Sequence, residues 1–184
     1  METQLLSYGL LALFAKLSAR RHFSLGRTKV QKLVFLLNEL MGIDSGYKFH
    51  FYTYGPFSSE LAGDIDYLDR INVLKVEEIS GGEGYLVTAG SQAEKVEKMV
   101  QDRLAALSGD VEKIVDEFGA CSARDLEMIA TLIFVIKYDP KFSGDIGELI
   151  VKAKELKPKF SENEIKMKVN FLSEKKFLSD LAVA

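Results

Sequence analysis

Three stretches between residues 25 and 89 decide the fold: LGRTKVQKLVFLL (25–37), HFYTYGPFSSEL (50–61) and LKVEEISGGEGYLVTA (74–89). In the first, apolar residues at helical spacing predict a helix that Thr28 opens through a capping box with Gln31 and that Gly42 ends. In the second, alternating aromatic residues predict a strand over 47–54, which Gly55-Pro56 breaks before another helix. In the third, the glycine-rich tip at 80–84 predicts a β-hairpin.

Helix, helix and hairpin in this order are typical of a winged helix, so we expect an α+β fold that is predominantly helical. The winged-helix-like unit covers residues 1–90 and begins with an apolar helix at 3–18. A helical extension covers 91–184, with helices over 92–107, from Gly109 to Phe118, over 126–138 and over 146–156. Helix-start signals lie at Ser122 with Asp125 and at Ser161 with Glu164. We expect the two parts to pack as one compact body.

The composition is that of a globular protein, with 47% hydrophobic and 28% charged residues over a length of 184. The single cysteine, Cys121, allows no intramolecular disulfide and no cysteine-rich zinc cluster. The apolar segment at 5–17 is shorter than the roughly 20 residues that a membrane-spanning helix needs. We therefore expect a cytoplasmic protein that has no membrane partner.

The chain resembles the YwgA family of small bacterial and archaeal proteins in residues 26–34, 52–61 and 126–131, and more weakly in 157–165. The segment Gln31-Lys32-Leu33, followed by Tyr54-Gly55-Pro56, is also similar to the Panacea domain of bacterial toxin–antitoxin systems. This second resemblance implies a domain that acts in antitoxins, with a protein-binding or proteolysis-adaptor role. The first resemblance implies neither an enzyme activity nor a particular ligand.

The N-terminal part of the chain is basic and the region after it is acidic. Residues 3–38 contain six lysines and arginines and no acidic residue, whereas residues 39–91 contain nine acidic residues against three basic ones. Charge separated in this way steers anions to one end of a protein, and a helix N-terminus favours phosphate. The candidate anion or nucleic-acid-binding residues are Arg20, Arg21, Arg27, Lys29 and Lys32. The alternative is that these cations pair with the acidic helix at 58–71 within the fold.

A second candidate site is the aromatic turn around Gly55-Pro56. A rigid turn can present aromatic rings to a peptide or a nucleobase, and stacking contributes roughly 1–3 kcal/mol per base. Together with the helix that follows, the turn predicts a partner-binding surface that consists of Tyr52, Tyr54, Phe57, Glu60 and Asp64. The alternative is that the rings fill the junction between strand and helix.

The helix at 58–71 is unsuited to a DNA groove because four acidic residues outnumber its single Arg70. Cationic side chains that neutralise phosphates supply most of the non-specific affinity for DNA, and here the charge has the opposite sign. Any contact with nucleic acid would therefore use the basic segment, with Lys75 of the hairpin as a further candidate, and the acidic helix fits a basic protein partner better.

No catalytic constellation is present in the sequence. The only histidines, His22 and His50, are not at metal-ligand spacing with another ligand. Asp64 and Asp66 are two residues apart and diverge on a helix, and the glycine-rich segment joins two strands and not a strand and a helix. We predict no enzyme activity, no cofactor and no metal.

Two classes of function remain open. The first is a non-enzymatic regulatory protein that contacts a nucleic-acid backbone through the basic segment. The alternative is a protein-binding adaptor or antitoxin-like module that uses the acidic helix and the Tyr54-Gly55-Pro56 turn. A candidate homodimer interface is the apolar stripe of Val96, Met99, Val100 and Leu104; the alternative is that this stripe packs on the first helix.

Overall fold

A computed structural model of the chain describes residues 2–82 and 84–178. Within these residues the chain is α+β and predominantly helical, with eight helices and two antiparallel β-hairpins. The helices are α1 (Glu2–Arg20), α2 (Arg27–Met41), α3 (Ser59–Arg70), α4 (Ala93–Met99), α5 (Gln101–Phe118), α6 (Ala123–Tyr138), α7 (Ile146–Leu156) and α8 (Glu162–Glu174). The strands are β1 (His50–Tyr52), β2 (Gly55–Phe57), β3 (Leu74–Glu78) and β4 (Tyr85–Ala89). The expected fold class is confirmed.

The core is built around α1, α2 and α6, which contribute many of its buried apolar side chains. On α2 every residue from Val30 to Leu37 is buried, and this run includes the polar Gln31 and Lys32. The first helix packs against α4 and α5, while α2 packs against α5 and α6, so elements from both halves of the chain enclose one apolar core. An element that is covered on all sides needs no polar face, which explains why α1 is apolar almost all round.

The predicted hairpin after α3 is confirmed as β3 and β4, which pair from Leu74 opposite Ala89 to Glu78 opposite Tyr85. The Val87 N–H also donates to the Leu25 carbonyl at 2.7 Å, so this hairpin is tied to the connector just before α2.

The strand predicted over 47–54 is present but shorter, because it runs only from His50 to Tyr52 and the chain then turns back. Gly55-Pro56 does not break the strand: it begins β2, in which Tyr52 lies opposite Gly55 and His50 opposite Phe57. Gly55 adopts φ +82°, the left-handed conformation that closes a hairpin after a tight turn. Proline is tolerated here because both strands of a two-stranded sheet are edge strands.

Several helix ends agree with the sequence prediction and others do not. Gly42 in the left-handed conformation ends α2, and Ser122 and Ser161 form reciprocal capping boxes at the starts of α6 and α8. The helix α7 has the predicted bounds. The predicted capping box of Thr28 with Gln31 is wrong, because α2 begins at Arg27 after an N-cap glycine that makes no side-chain hydrogen bond.

The region around 92–118 is divided differently from the prediction. The break falls at Val100, between α4 and α5, and α5 continues through Gly109 because a single exposed glycine in a helix costs only about 1 kcal/mol.

The candidate dimer stripe is covered within the chain, in agreement with the alternative interpretation. Val96, Val100 and Leu104 are buried in the core beside α1, and only Met99 is exposed, at 62%. Gly9 of α1 makes this close approach possible, since a Cβ atom there would lie 2.7 Å from Val100 Cγ2. No helix among the described residues is both long and apolar enough to cross a membrane.

Candidate functional site

The most distinctive surface of the protein is the hairpin of β1, β2 and the turn between them, residues 50–57, which we call the tyrosine hairpin. Tyr52 and Tyr54 are 65% and 60% exposed, although large aromatic residues are usually buried. The Tyr52 ring lies against Phe57 with centroids 5.9 Å apart. The Phe51 ring lies on the opposite face of the hairpin and packs against Phe134 of α6, with the ring centroids 5.1 Å apart. The alternative in which the rings of Tyr52, Tyr54 and Phe57 fill the strand–helix junction therefore applies in part to the half-buried Phe57 but not to the two exposed tyrosines.

Two buried lysines hold the backbone of the tyrosine hairpin. The Lys32 ammonium of α2 donates to the Pro56 carbonyl at 2.7 Å, and the Lys157 ammonium, just after α7, donates to the Thr53 carbonyl. These side chains are only 1% and 3% exposed. Fully buried lysines are rare unless they are paired, so both ammonium groups serve to fix this hairpin in place.

A buried carboxylate of α6 lies between these lysines and a third one. Glu127 is 4% exposed, its Oε1 lies 3.0 Å from Lys157 Nζ, and its Oε2 accepts a hydrogen bond from Lys159 Nζ at 2.8 Å. Lys159 Nζ also lies 4.9 Å from the centre of the Tyr54 ring, a cation–π contact. The Glu127 carboxylate thus links the buried anchor of the hairpin to one of its exposed tyrosines.

Burial changes the acidity of both anchoring lysines. Burial and, to a smaller extent, the charge of Lys157 lower the pKa of Lys32 to about 8, although the charge of Glu127 opposes this shift. Burial also lowers the pKa of Lys157, and the hydrogen bond to Glu127 opposes that shift. Lys32 therefore becomes neutral much more easily than an ordinary surface lysine.

Gly55 allows the hairpin to approach α6 closely. A Cβ atom at this position would lie 3.2 Å from Thr131 Oγ1 and 3.5 Å from the Glu127 carbonyl oxygen. The Thr131 hydroxyl itself donates to that carbonyl at 2.7 Å. Both the positive φ angle and the short distance to α6 thus require glycine here.

Gln31 of α2 connects the end of the hairpin to the start of α3. Its amide nitrogen donates to the Ser58 carbonyl and its amide oxygen accepts from the Ser58 N–H, both at 2.9 Å. Ser58 is the N-cap of α3, and its side chain accepts a hydrogen bond from the Leu61 N–H at 3.3 Å. Two adjacent residues of α2, Gln31 and Lys32, therefore position both the hairpin and the next helix.

A cavity of about 220 Å³ lies between the tyrosine hairpin, α2 and α3. Its walls are formed by Arg27, Thr28, Gln31, Lys32, Tyr52, Tyr54, Phe57, Ala62 and Ile65. The hairpin and α3 supply the apolar walls, and α2 supplies the polar one. Arg27 Nη1 lies 2.5 Å from Asp66 Oδ1, while the buried Nε of Arg27 makes no hydrogen bond. The cavity therefore combines apolar side chains with two cationic ones, Arg27 and Lys32.

The five residues of the candidate anion site do not form a single patch. Arg20 is exposed, Arg21 pairs with Asp116 of α5 at 2.8 Å, and Lys29 donates to the Gly119 carbonyl at 2.7 Å. Only Arg27 and Lys32 share an environment, at the cavity. The alternative was that these cations pair with the acidic helix α3. Of the five residues, only Arg27 does so, through Asp66.

The two acidic residues of the candidate partner surface differ in their availability. Glu60 is exposed at the start of α3. Asp64 accepts hydrogen bonds from the hydroxyls of Tyr47 and Tyr8, at 2.9 and 3.3 Å. Asp64 therefore links α3 to the core of the protein, and the surface that can contact a partner consists of the tyrosines with Phe57 and Glu60.

Sequence reasoning missed Glu127, Lys157, Lys159 and Thr131. Glu127 carried a usable signal, because it is the one charged residue within the apolar run 126–136 of α6. Lys157 and Lys159 had no such signal, since lysines in a connector between helices are usually exposed.

Among the described residues, no group of three histidine, cysteine, aspartate or glutamate side chains comes close enough to hold a metal ion. The two histidines are both exposed, and neither lines the cavity.

The arrangement is thus an exposed aromatic hairpin, anchored from below by a buried charge cluster and bordered by a small cavity. No model of a known protein family matches this chain, and no curated protein matches it.

Proposed function

We propose that this chain is a non-enzymatic binding protein that recognises a partner polypeptide at the tyrosine hairpin and its cavity. The observation that carries the proposal is the pair of exposed tyrosines, Tyr52 and Tyr54, on a hairpin that buried side chains hold rigidly. Tyrosine and arginine are enriched among the residues that dominate protein interfaces. A rigid surface binds with little loss of conformational entropy, so the anchoring by Lys32 and Lys157 favours affinity.

The distribution of charge favours a protein partner over a nucleic acid. Of the candidate anion-binding residues, Arg21, Arg27, Lys29 and Lys32 each have a partner within the chain, and Arg20 is exposed. Binding to phosphates gains affinity with the number of cations that are free to neutralise them. The net negative charge of α3 also disfavours a polyanionic strand that lies along this helix.

The resemblances noted in the sequence are consistent with this proposal. A member of the YwgA family with a Panacea-like segment would act in the cytoplasm as a regulator or antitoxin-like adaptor, and such a role needs a protein-binding surface. The similar segments include both the Gln31-Lys32 pair and the Tyr54-Gly55-Pro56 turn, which meet at the cavity. In a winged-helix reading, β3 and β4 form the wing, and the tyrosine hairpin is an insertion between the second and third helices.

A selection experiment tests the proposal. Random peptides displayed on phage are selected against the wild-type protein and against the double variant Tyr52→Ala/Tyr54→Ala. The control is Tyr67→Ala, because Tyr67 is also exposed but lies on α3 against Tyr8, on the side away from Ile65. We expect peptides that bind the wild type and the control but lose at least about tenfold in affinity for the double variant.

A nucleic-acid function gives a different result. Anisotropy with labelled duplex DNA and single-stranded RNA, in a salt series, would then show binding that Arg20→Gln/Arg21→Gln abolishes and the tyrosine variant retains. That pattern would overturn the proposal, because these two arginines lie outside the cavity.

A further inference from the structure

The cavity beside the tyrosine hairpin holds about one amino-acid residue. Sites for drug-sized molecules have volumes of roughly 300–1,000 Å³, whereas this cavity measures about 220 Å³. Apolar side chains from the hairpin and from α3 form most of its lining, so they favour an apolar group. A ligand that only fills the cavity would not contact the exposed tyrosines at its edge. A longer polypeptide would contact them as well, so these tyrosines favour a peptide ligand.

The polar wall of the cavity is cationic. Arg27 and Lys32 line it directly, and Lys157 and Lys159 lie behind the hairpin, whereas the carboxylates that face this group are Asp66 and Glu127. Four cations against two anions leave the region positive. Lys32 donates to the Pro56 carbonyl, which accounts for one of its three ammonium hydrogens. The positive charge of this wall favours an anionic group in the cavity.

Few groups in a polypeptide combine an apolar body and a carboxylate on the same residue. The C-terminal residue does so when its side chain is apolar, since its side chain and its carboxylate are attached to one Cα. Aspartate and glutamate carry the charge at the tip of the side chain and would place it among the apolar walls. The shape and charge of the cavity therefore suit a chain end.

We infer that the cavity receives the C-terminal residue of the partner polypeptide, with its apolar side chain against Phe57, Ala62 and Ile65 and its carboxylate toward Arg27 and Lys32. This inference rests on the proposed function and specifies its partner. The residues that precede the terminus then extend across Tyr52 and Tyr54.

The experiment compares two libraries of random heptapeptides fused to the C-terminus of a carrier protein. One library ends at the random residues and so has a free carboxylate, and the other continues into a Gly-Ser tail. We expect enrichment from the first library only, with an apolar last residue. Enrichment from both libraries alike would overturn the terminal-residue inference and leave peptide binding in place. Enrichment from neither would overturn the proposed function as well.

Synthetic peptides then test the carboxylate. A selected peptide should bind at least about tenfold more tightly as a free acid than as a C-terminal amide, because hydrogen bonds to charged groups are the stronger ones. If acid and amide bind equally, the inference is wrong. N-acetyl-leucine is the third probe; competition by it as strong as that of the peptide would assign the cavity to a small acid and overturn a peptide ligand.

Two substitutions on α3 distinguish binding in the cavity from binding elsewhere on the surface. Ala62→Leu adds apolar volume to the cavity wall and should abolish binding of the free acid. Gly63→Ala is the matched control, since a Cβ atom there has no neighbour within 4 Å. Equal binding by both variants would exclude the cavity as the binding site.

The pH dependence gives a readout that a purely structural role would not produce. Lys32 faces Lys157, Glu127 and the Pro56 carbonyl, and its pKa is lowered to about 8. The affinity for the free acid should therefore fall several-fold as the pH rises through about 8, whereas the affinity for the amide should not. Parallel curves for acid and amide would contradict a carboxylate beside Lys32.

Discussion

The two β-hairpins of this protein have the same antiparallel pairing but are supported in different ways. The tyrosine hairpin rests on buried side chains: Lys32, Lys157 and Glu127 below it, and Thr131 against Gly55. The second hairpin, β3 and β4, ends in a glycine-rich tip, where a Cβ atom at Gly81 or Gly82 would have no neighbour within 4 Å. Pairing between strands therefore does not decide which hairpin can present side chains at fixed positions; the layer beneath it does.

Removal of the buried Glu127 carboxylate should give the largest difference in stability between a change beneath the tyrosine hairpin and a matched change in the second hairpin. We expect Glu127→Ala to lower the free energy of unfolding by about 3–5 kcal/mol, since it leaves the buried Lys157 without its counter-charge. The matched substitution in the second hairpin is Glu78→Ala, at an exposed position on β3, with an expected change within about 0.5 kcal/mol. Urea denaturation measures both. Similar losses of unfolding free energy in the two variants would show that the two hairpins do not differ in their support.

The next effect is a pH dependence of stability that arises from Lys32, beneath the tyrosine hairpin. The folded-state pKa of Lys32 is about 8, below its ordinary value of 10.5, so the unfolded chain binds more protons between these limits. The unfolding free energy of the wild type, measured against that of Lys32→Met, should therefore increase with pH in this window. The increase is at most about 1.4 kcal/mol per pH unit. Urea midpoints from about pH 7 to about pH 9.5 measure it. The exposed Lys48, changed to Met, is the control and should give a curve parallel to the wild type.

A pair of glycine substitutions compares the two hairpins directly. Gly55 and Gly82 both have positive φ angles, +82° and +75°, so alanine is strained at either position. Only Gly55 is also crowded, by Thr131. We expect Gly55→Ala to destabilise by about 1–3 kcal/mol and Gly82→Ala by about 1 kcal/mol. Thermal melting measures the difference, and an equal loss at both sites would show that contact with α6 adds nothing.

The smallest effect on stability concerns one exposed tyrosine on each hairpin. Tyr54 lies under Lys159, and Tyr85 of β4 lies under Arg27; both cation-to-centroid distances are 4.9 Å. Either change to alanine should cost no more than about 1 kcal/mol. Binding of a selected peptide should nevertheless fall for Tyr54→Ala and persist for Tyr85→Ala, as titration calorimetry would show. Equal retention of binding by both variants would argue against the tyrosine hairpin as the contact surface.

Features with a local cause could be predicted from the sequence. The caps at Ser58, Ser122 and Ser161, the bounds of α7 and the β3–β4 hairpin depend on residues within a few positions of each other. Their physical determinants, side-chain caps and glycine turns, are visible in a short window of sequence.

Features that depend on distant residues could not be predicted in the same way. Gln31 has the spacing of a capping residue but pairs with Ser58, which is 27 positions away along the chain. Lys32 was expected in an anion site at the surface and instead lies beneath the hairpin, because α2 is covered on all sides. The aromatic character of residues 52–57 was evident from the sequence, whereas the charge cluster that lies beneath them was not.

The paired hydrogen bonds between Gln31 and Ser58 have a consequence for selectivity. They fix the spacing between α2 and the start of α3, the two helices that line the cavity, and α3 cannot move outward without breaking both bonds. A cavity that cannot widen excludes by size. Branched aliphatic groups and a single phenyl ring should enter it, an indole should be rejected by steric overlap, and loss of the Gln31 amide should relax this limit before it weakens binding.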